Sequence, residues 1–272
     1  MKLSIIGLGF VGSAIQHSVL QKGFIVDESL FLYDKYKEGG IGSLQQCIDS
    51  DLLFLCLPTP FDPSKNQYDK SSIMECSEQL SSLGYKGVII LKSTVEPETT
   101  DLLSNKFPAL QFIHNPEFLT ARTANQDFHN QTHVVLGKPN SLSNKVYDPL
   151  VQFYSTYYPT ALISKCSSVE SESMKIFCNT FYSIKVQFFT ELQQLCEKNG
   201  TDYNVIRSLM LSNKWIHPMH TVIPGPDGQI SYGGACFPKD SNALLEYMKK
   251  IDSPHALLEA SIKERNEMRK DH

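Results

Sequence analysis

The run LSIIGLGFVG at residues 3–12 limits the possible folds of this chain more than any other feature. It joins a short apolar segment to the glycine pattern GxGxxG, then to Val11, Ile15 and Val19, which fall on one helical face. A strand that turns at once into a helix opens a βαβ unit. Gly7 permits the tight turn, Gly9 lets the backbone approach a pyrophosphate, and Gly12 lets helix and strand pack closely. The helix N-terminus then offers its N–H groups to the phosphates. Asp34 closes the next apolar run, LFLYD, 22 residues after Gly12. A carboxylate there accepts hydrogen bonds from adenine-ribose hydroxyls and repels a 2′-phosphate. The pattern therefore predicts NAD rather than NADP, despite Lys35 and Lys37 nearby, and nothing else in the chain suggests FAD.

Further apolar runs follow: DLLFLCLP (51–58), GVIILKST (87–94), QFIHNP (111–116) and THVVLG (132–137). Near-continuous apolar strands between helical stretches suit a parallel sheet covered on both faces. The expectation is an α/β fold: a Rossmann-like, doubly wound parallel sheet followed by an all-α central domain built on one long helix. The boundary is placed at 165/166, giving an NAD-binding domain over 1–165 and a helical domain over 166–272. Ser167 and Glu170 are spaced as a capping box and Asn199-Gly200 as a stop. Between them Met174, Phe177, Phe181, Ile184, Phe188, Leu192 and Leu195 recur every three or four residues, which predicts a buried apolar stripe. Residues 202–212 read as another helix, 217–238 as a Gly- and Pro-rich loop, and 239 onward as helices broken at Asp252-Ser-Pro254. A loop of that length points to function.

With 25 basic against 29 acidic residues the net charge is −4, so no basic field is available to hold nucleic acid. No apolar run is long enough for a membrane helix and MKLSIIGLGF is no signal peptide, so a cytoplasmic location is expected, in a cell or a host. The 7 cysteines lack CxxC pairs, which argues against a disulfide framework or structural zinc. Cys47, Cys56, Cys76, Cys178 and Cys196 sit in apolar-periodic surroundings and read as buried and inert. His217 and His220 lack the carboxylates a metal site would need, and none is expected.

Lys175 and Asn179, four apart, share a face of the long helix, which by itself also suits a snorkelling lysine and a polar neighbour. The order of motifs decides between these: GLGFVG, LCLPTP (55–60), KSTVEPETT (92–100), NPEFL (115–119), ESMKIFCN (172–179) and GGACFPKD (233–240). Taken together they resemble the UDP-glucose/GDP-mannose (nucleotide-sugar) 6-dehydrogenase family over essentially the whole chain. That resemblance implies oxidation of a sugar primary alcohol to a carboxylate with two NAD⁺, UDP-glucose giving UDP-glucuronate being the expected case.

The resemblance implies a role for each matching position. Cys236 is the nucleophile whose thiohemiacetal is oxidised to a thioester. Lys175 and Asn179 stabilise oxyanions at C6, and Lys175 favours the thiolate. Glu117 works with water as a general base, Asp240 orients water and lysine, and Thr94 lies near the reacting carbon. Gly7, Gly9, Phe10, Val11, Gly12, Asp34, Thr59 and Thr94 are the expected cofactor contacts. Glu117, Phe118, Leu119, Lys175, Asn179, Tyr232 and Gly233 are the expected substrate contacts, with PGPDG (224–228) near the sugar phosphates. The family's long helix also implies a homodimer, to which Phe181, Phe188 and Phe189 lend apolar surface.

Three features depart from the family pattern. Ala121 stands where a second carboxylate is usual, and Glu98 where glycine is usual. Family members also continue into a C-terminal domain that grips the nucleotide, whereas this sequence ends at IKERNEMRKDH, so a high KM or a partner chain supplying that lobe is expected. Two other readings compete. A β-hydroxyacid dehydrogenase shares the length, the domain order and a helix-borne Lys and Asn, but needs neither Cys236 nor Glu117. A scaffold that binds NAD without turnover is the other.

Overall fold

A computed structural model describes residues 1–271. Strands and helices alternate first: β1 (Leu3–Ile6), α1 (Phe10–Gln21), β2 (Leu30–Tyr33), α2 (Leu44–Cys47), β3 (Leu52–Leu55), β4 (Phe61–Asp62), β5 (Gln67–Tyr68), α3 (Ser71–Ser82), β6 (Val88–Leu91), α4 (Thr99–Lys106), β7 (Gln111–His114), α5 (Ala124–His129), β8 (His133–Lys138), α6 (Asp148–Tyr157) and β9 (Leu162–Ser167). Helices then take over: α7 (Ser168–Asn199), α8 (Tyr203–Ser212), α9 (Phe237–Lys250) and α10 (Ala256–Met268). The chain forms two compact units, one of Met1–Pro60 with Tyr68–Lys175, the other of Phe61–Gln67 with Ile176 onward.

In the first unit seven strands form one sheet in the order β2-β1-β3-β6-β7-β8-β9. Side chains alternate between its faces, as the pleat requires. Leu3, Ile5, Leu52, Phe54, Val88, Ile90 and Ile113 enter one buried cluster. Ile6, Leu53, Leu55, Ile89, Leu91 and Phe112 enter the other. The sheet is not wholly parallel: β7 and β8 pair antiparallel, His114 opposite Gly137, while β8 and β9 pair parallel. Strand β9 escapes a reading of the sequence because LISKCS, a half-exposed edge segment, lacks the apolar run of its neighbours. The ribbon of β4 and β5 is likewise too short to leave a pattern.

Helix α7 starts where the capping box places it: Ser167 N donates to Glu170 Oε2 (2.8 Å) and Glu170 N to Ser167 Oγ (3.2 Å). Its first turns belong to the sheet unit, which sets the division at Lys175/Ile176, ten residues after the expected 165/166. Glu172 accepts from Glu98 N (2.8 Å), Thr100 N (2.7 Å) and Thr100 Oγ1 (2.6 Å), and so closes the start of α4. Ser171 Oγ bonds His114 Nδ1 at 2.8 Å.

The expected buried stripe of α7 is corrected by the structure. Phe177, Phe181, Phe188 and Leu195 are each at least half exposed, while Met174, Ile184 and Leu192 are only partly covered. The buried positions include Ser168, Ser171, Glu172, Asn179, Thr180, Ser183, Gln187 and Thr190, together with Ile176 and Phe189. Phe189 packs with Cys196, Tyr203 and Ile223 in the second unit's core, so it adds nothing to the outer ridge. Helical periodicity marks a stripe but not the side on which the protein lies.

Candidate active site

In the first unit, the strand order brings the carboxyl ends of β1, β3, β6 and β7 into one row, the edge where ligands bind in open α/β sheets. After β1, Gly7 has φ +86° and a Cβ there would meet Cys56 O at 2.5 Å. A Cβ on Gly12 would lie 1.9 Å from Gly7 O, whereas one on Gly9 would meet nothing within 4 Å. Gly9 thus leaves space beside the start of α1, and it borders a cavity of about 860 Å³ lined also by Phe10, Ser13, Lys37 and Arg122. This cradle fits the pyrophosphate of a dinucleotide. Val11 packs on the core and Phe10 is exposed.

Asp34 is held by the backbone: Oδ2 accepts from Leu8 N (2.7 Å) and Oδ1 from Tyr36 N and Lys37 N (both 2.9 Å). Burial opposes its charge, but these bonds and Lys37 hold its carboxyl below the usual range. Lys37, absent from the sequence-derived set, lines the cavity and donates from Nζ to Leu8 O (2.9 Å) and Ser13 Oγ (3.2 Å). Past β3, Thr59 Oγ1 donates to Thr94 O (2.7 Å), and both threonines are buried.

At the end of β7, the NPEFL turn carries Glu117. Its Oε1 lies 3.1 Å from Lys175 Nζ, its carbonyl accepts from the same amine at 2.5 Å, and its Oε2 accepts from Leu119 N at 2.6 Å. Lys175 also stands 5.5 Å from the centroid of the Phe118 ring. The carboxylate–lysine pair that the motifs imply is therefore assembled within this unit. Sequence reasoning passed over Lys92, buried beneath the same turn, whose one signal was a lysine ending an apolar strand.

The second unit holds Asn179, Asp240, Cys236, Tyr232 and Gly233. Cys236 is exposed and sits at the N-cap position of α9, where the helix dipole favours negative charge on sulfur. One turn on, Asp240 is fully buried; Oδ2 accepts from Asn179 Nδ2 (2.6 Å) and Oδ1 from Lys239 Nζ (2.5 Å). Asn179 and Asp240, 61 residues apart, thus form one polar pair. Tyr232 is buried and its carbonyl accepts from Arg265 Nε at 3.1 Å. The guanidinium of Arg269 lies directly behind Gly233, where a Cβ would meet it at 2.2 Å. It also bonds Asp227 Oδ2 at 2.8 Å. Nothing in local sequence marks Arg265 and Arg269 as anchors of the 224–233 loop, because their partners come from another element. The ring of His220 packs against Tyr182 and Phe237, with centroids 4.8 and 5.3 Å away.

Comparison with known proteins bears on what this arrangement does. Residues 42–156 match the model of the UDP-glucose/GDP-mannose dehydrogenase family's NAD binding domain, and residues 169–267 match that of its central domain. A UDP-glucose 6-dehydrogenase of Campylobacter jejuni is 26% identical over 99% of this chain and 73% of its own length. One of Rhizobium meliloti is 30% identical over 78% of this chain, a match that takes in only 49% of the relative. Among solved structures, a UDP-glucose dehydrogenase of Pyrobaculum islandicum superposes with a TM-score of 0.82 at 20% identity, over 98% of this chain and 68% of that one. A 3-hydroxyisobutyrate dehydrogenase of Mycobacterium tuberculosis superposes at 0.73 with 13% identity, over 98% and 92%, a likeness of fold alone.

Proposed function

The chain belongs to the UDP-glucose/GDP-mannose dehydrogenase family, with an NAD-binding first unit, and from that premise we propose that it oxidises the C6 alcohol of a nucleotide sugar to a carboxylate, with UDP-glucose as substrate. The observation that carries this reading is the exposed thiol of Cys236 at the head of α9, one turn before the buried Asp240–Asn179 pair. A single hydride transfer needs no such thiol. A four-electron oxidation gives it a role, because an aldehyde yields no second hydride until a nucleophile, here the thiolate, has added to it.

NAD held at the Gly7–Gly12 turn and Asp34 would supply the hydride acceptor, two equivalents per sugar. Removal of the first hydride and of the hydroxyl proton leaves an aldehyde. The Cys236 thiolate adds to its carbonyl carbon and the oxygen takes up a proton, giving a thiohemiacetal. Loss of that proton and of a second hydride leaves a thioester. Glu117 then takes a proton from water as the water attacks, the C–S bond breaks, and the thiolate is regenerated beside a carboxylic acid that loses its proton to solvent. Lys175 and Asn179 supply donors to the oxyanions formed on the way.

Counting NADH per UDP-glucose consumed tests this. The wild-type chain is expected to give two, and Cys236→Ser to turn over slowly or stall. One NADH per substrate from the wild type, unchanged in Cys236→Ser, would favour the single-hydride reading.

A further inference from the structure

Lys92 follows β6, its N–H continuing the ladder to Leu55 O at 3.0 Å. Its side chain is 2% exposed, and among the described residues it makes no ion pair with a carboxylate. A buried amine outside ion-pair distance of a carboxylate is costly unless its donors are used, and two are. Nζ donates to Asn115 Oδ1 at 3.0 Å and to Pro116 O at 3.3 Å. Asn115 is also fixed by Tyr154 OH (2.5 Å), by its own Nδ2 on Val135 O (2.8 Å) and by its N–H on Leu91 O (2.9 Å). The next carbonyl along, that of Glu117, is held by Lys175. Two consecutive carbonyls are thus each capped by a lysine, and the catalytic carboxylate rides on the peptide between them.

We propose that Lys92 is a positioning residue for Glu117: by pinning Asn115 and the Pro116 carbonyl it fixes the turn that presents the Glu117 carboxylate for hydrolysis of the thioester. The proposal rests on the reaction described above, and it assigns Lys92 to one half-reaction, the step after both hydrides have left. The groups that face the amine are Cys56 after β3, His114 on β7, Glu117 and Lys175, with the rings of Tyr154 and Phe128 from α6 and α5. Burial pushes Cys56 up to about 12, His114 down to about 3 and Tyr154 upward, so these stay neutral near physiological pH. Burial brings Lys92 down to about 8, Lys175 adding to the effect and Cys56 and Glu117 opposing it.

Lys92→Met, close in volume, tests the assignment through two readouts. With UDP-glucose and NAD, kcat is expected to fall at least tenfold with KM within about threefold. Intact-mass spectrometry should show a sugar thioester building up on Cys236, because the hydride steps outrun hydrolysis. Equal slowing of every step in a folded variant, or wild-type kcat with no adduct, would overturn the proposal. The second readout needs no activity. The folded state holds fewer protons on Lys92 than the unfolded chain between about 8 and 10.5, so wild type should gain stability relative to Lys92→Met as pH rises through that window. Parallel stability curves would sink the assignment of a buried titrating amine. If wild type forms no NADH with any nucleotide sugar, the proposed function fails while the stability comparison still reads Lys92. Should Lys92→Met not fold, Tyr154→Phe removes the other donor to Asn115 Oδ1 and must also cause the adduct to accumulate; an adduct-free Tyr154→Phe enzyme would refute the proposal.

Discussion

Gly12 has no room for a methyl group, since its Cβ would sit 1.9 Å from a backbone oxygen and 3.3 Å from Ile5 Cγ2. Gly12→Ala is therefore expected to cost about 1–3 kcal/mol, the range for overpacking a tight contact, and to weaken NAD binding by spreading the glycine turn. Urea unfolding with NAD titration checks both, and an unchanged midpoint would contradict the packing. At Gly9 the same methyl meets open space, so its demand comes from the ligand and not from the fold. Local sequence exposed both glycines because their constraints are local. Lys92 and Arg269 stayed hidden because their partners lie 23 and 42 residues away.

Among the elements, α4 and α7 show how one carboxylate couples distant segments. Glu172 reaches from α7 to the start of α4, where Glu98 occupies a left-handed conformation at φ +76° that glycine adopts more readily. Burial pushes the Glu172 carboxyl up to about 7 against the hydrogen bonds from Thr100 and Glu98. A raised folded-state pKa means the group favours folding below about 4.5 and loses that contribution as pH rises through about 7. Glu172→Gln should flatten the melting temperature against pH across that window relative to wild type, as scanning calorimetry can measure. Helix α7 also shows what periodicity left open. Its boundaries were legible from a capping box and a glycine stop, but its polar face is buried and Phe177, Phe181 and Phe188 point outward.

For the whole molecule, Phe177, Phe181, Phe188 and Leu195, each at least half exposed, recur at helical spacing along one face of α7 and form an outward apolar ridge. It is the surface that the homodimer implied by the family resemblance would cover. Light scattering at micromolar concentration is expected to report a dimer, and Phe181→Asp with Phe188→Asp to yield a folded monomer. A monomeric wild type would remove the ridge's role. Among the described residues, no helix is long and apolar enough to cross a membrane.

By itself the sequence determined the strands that turn into helices, the glycine turn and its cofactor, the ends of α7, and the motifs that mark the family. All of these depend on residues close together in the chain, where spacing stands in for geometry. Only the tertiary structure decided which strands are neighbours, and hence that Thr59, Thr94 and Glu117 share one sheet edge. It also decided which face of α7 is covered, and that Lys92, Asp240 and Arg269 are buried with partners. Burial and long-range pairing are properties of the packed chain, and a single charged residue in a string carries no record of what will surround it.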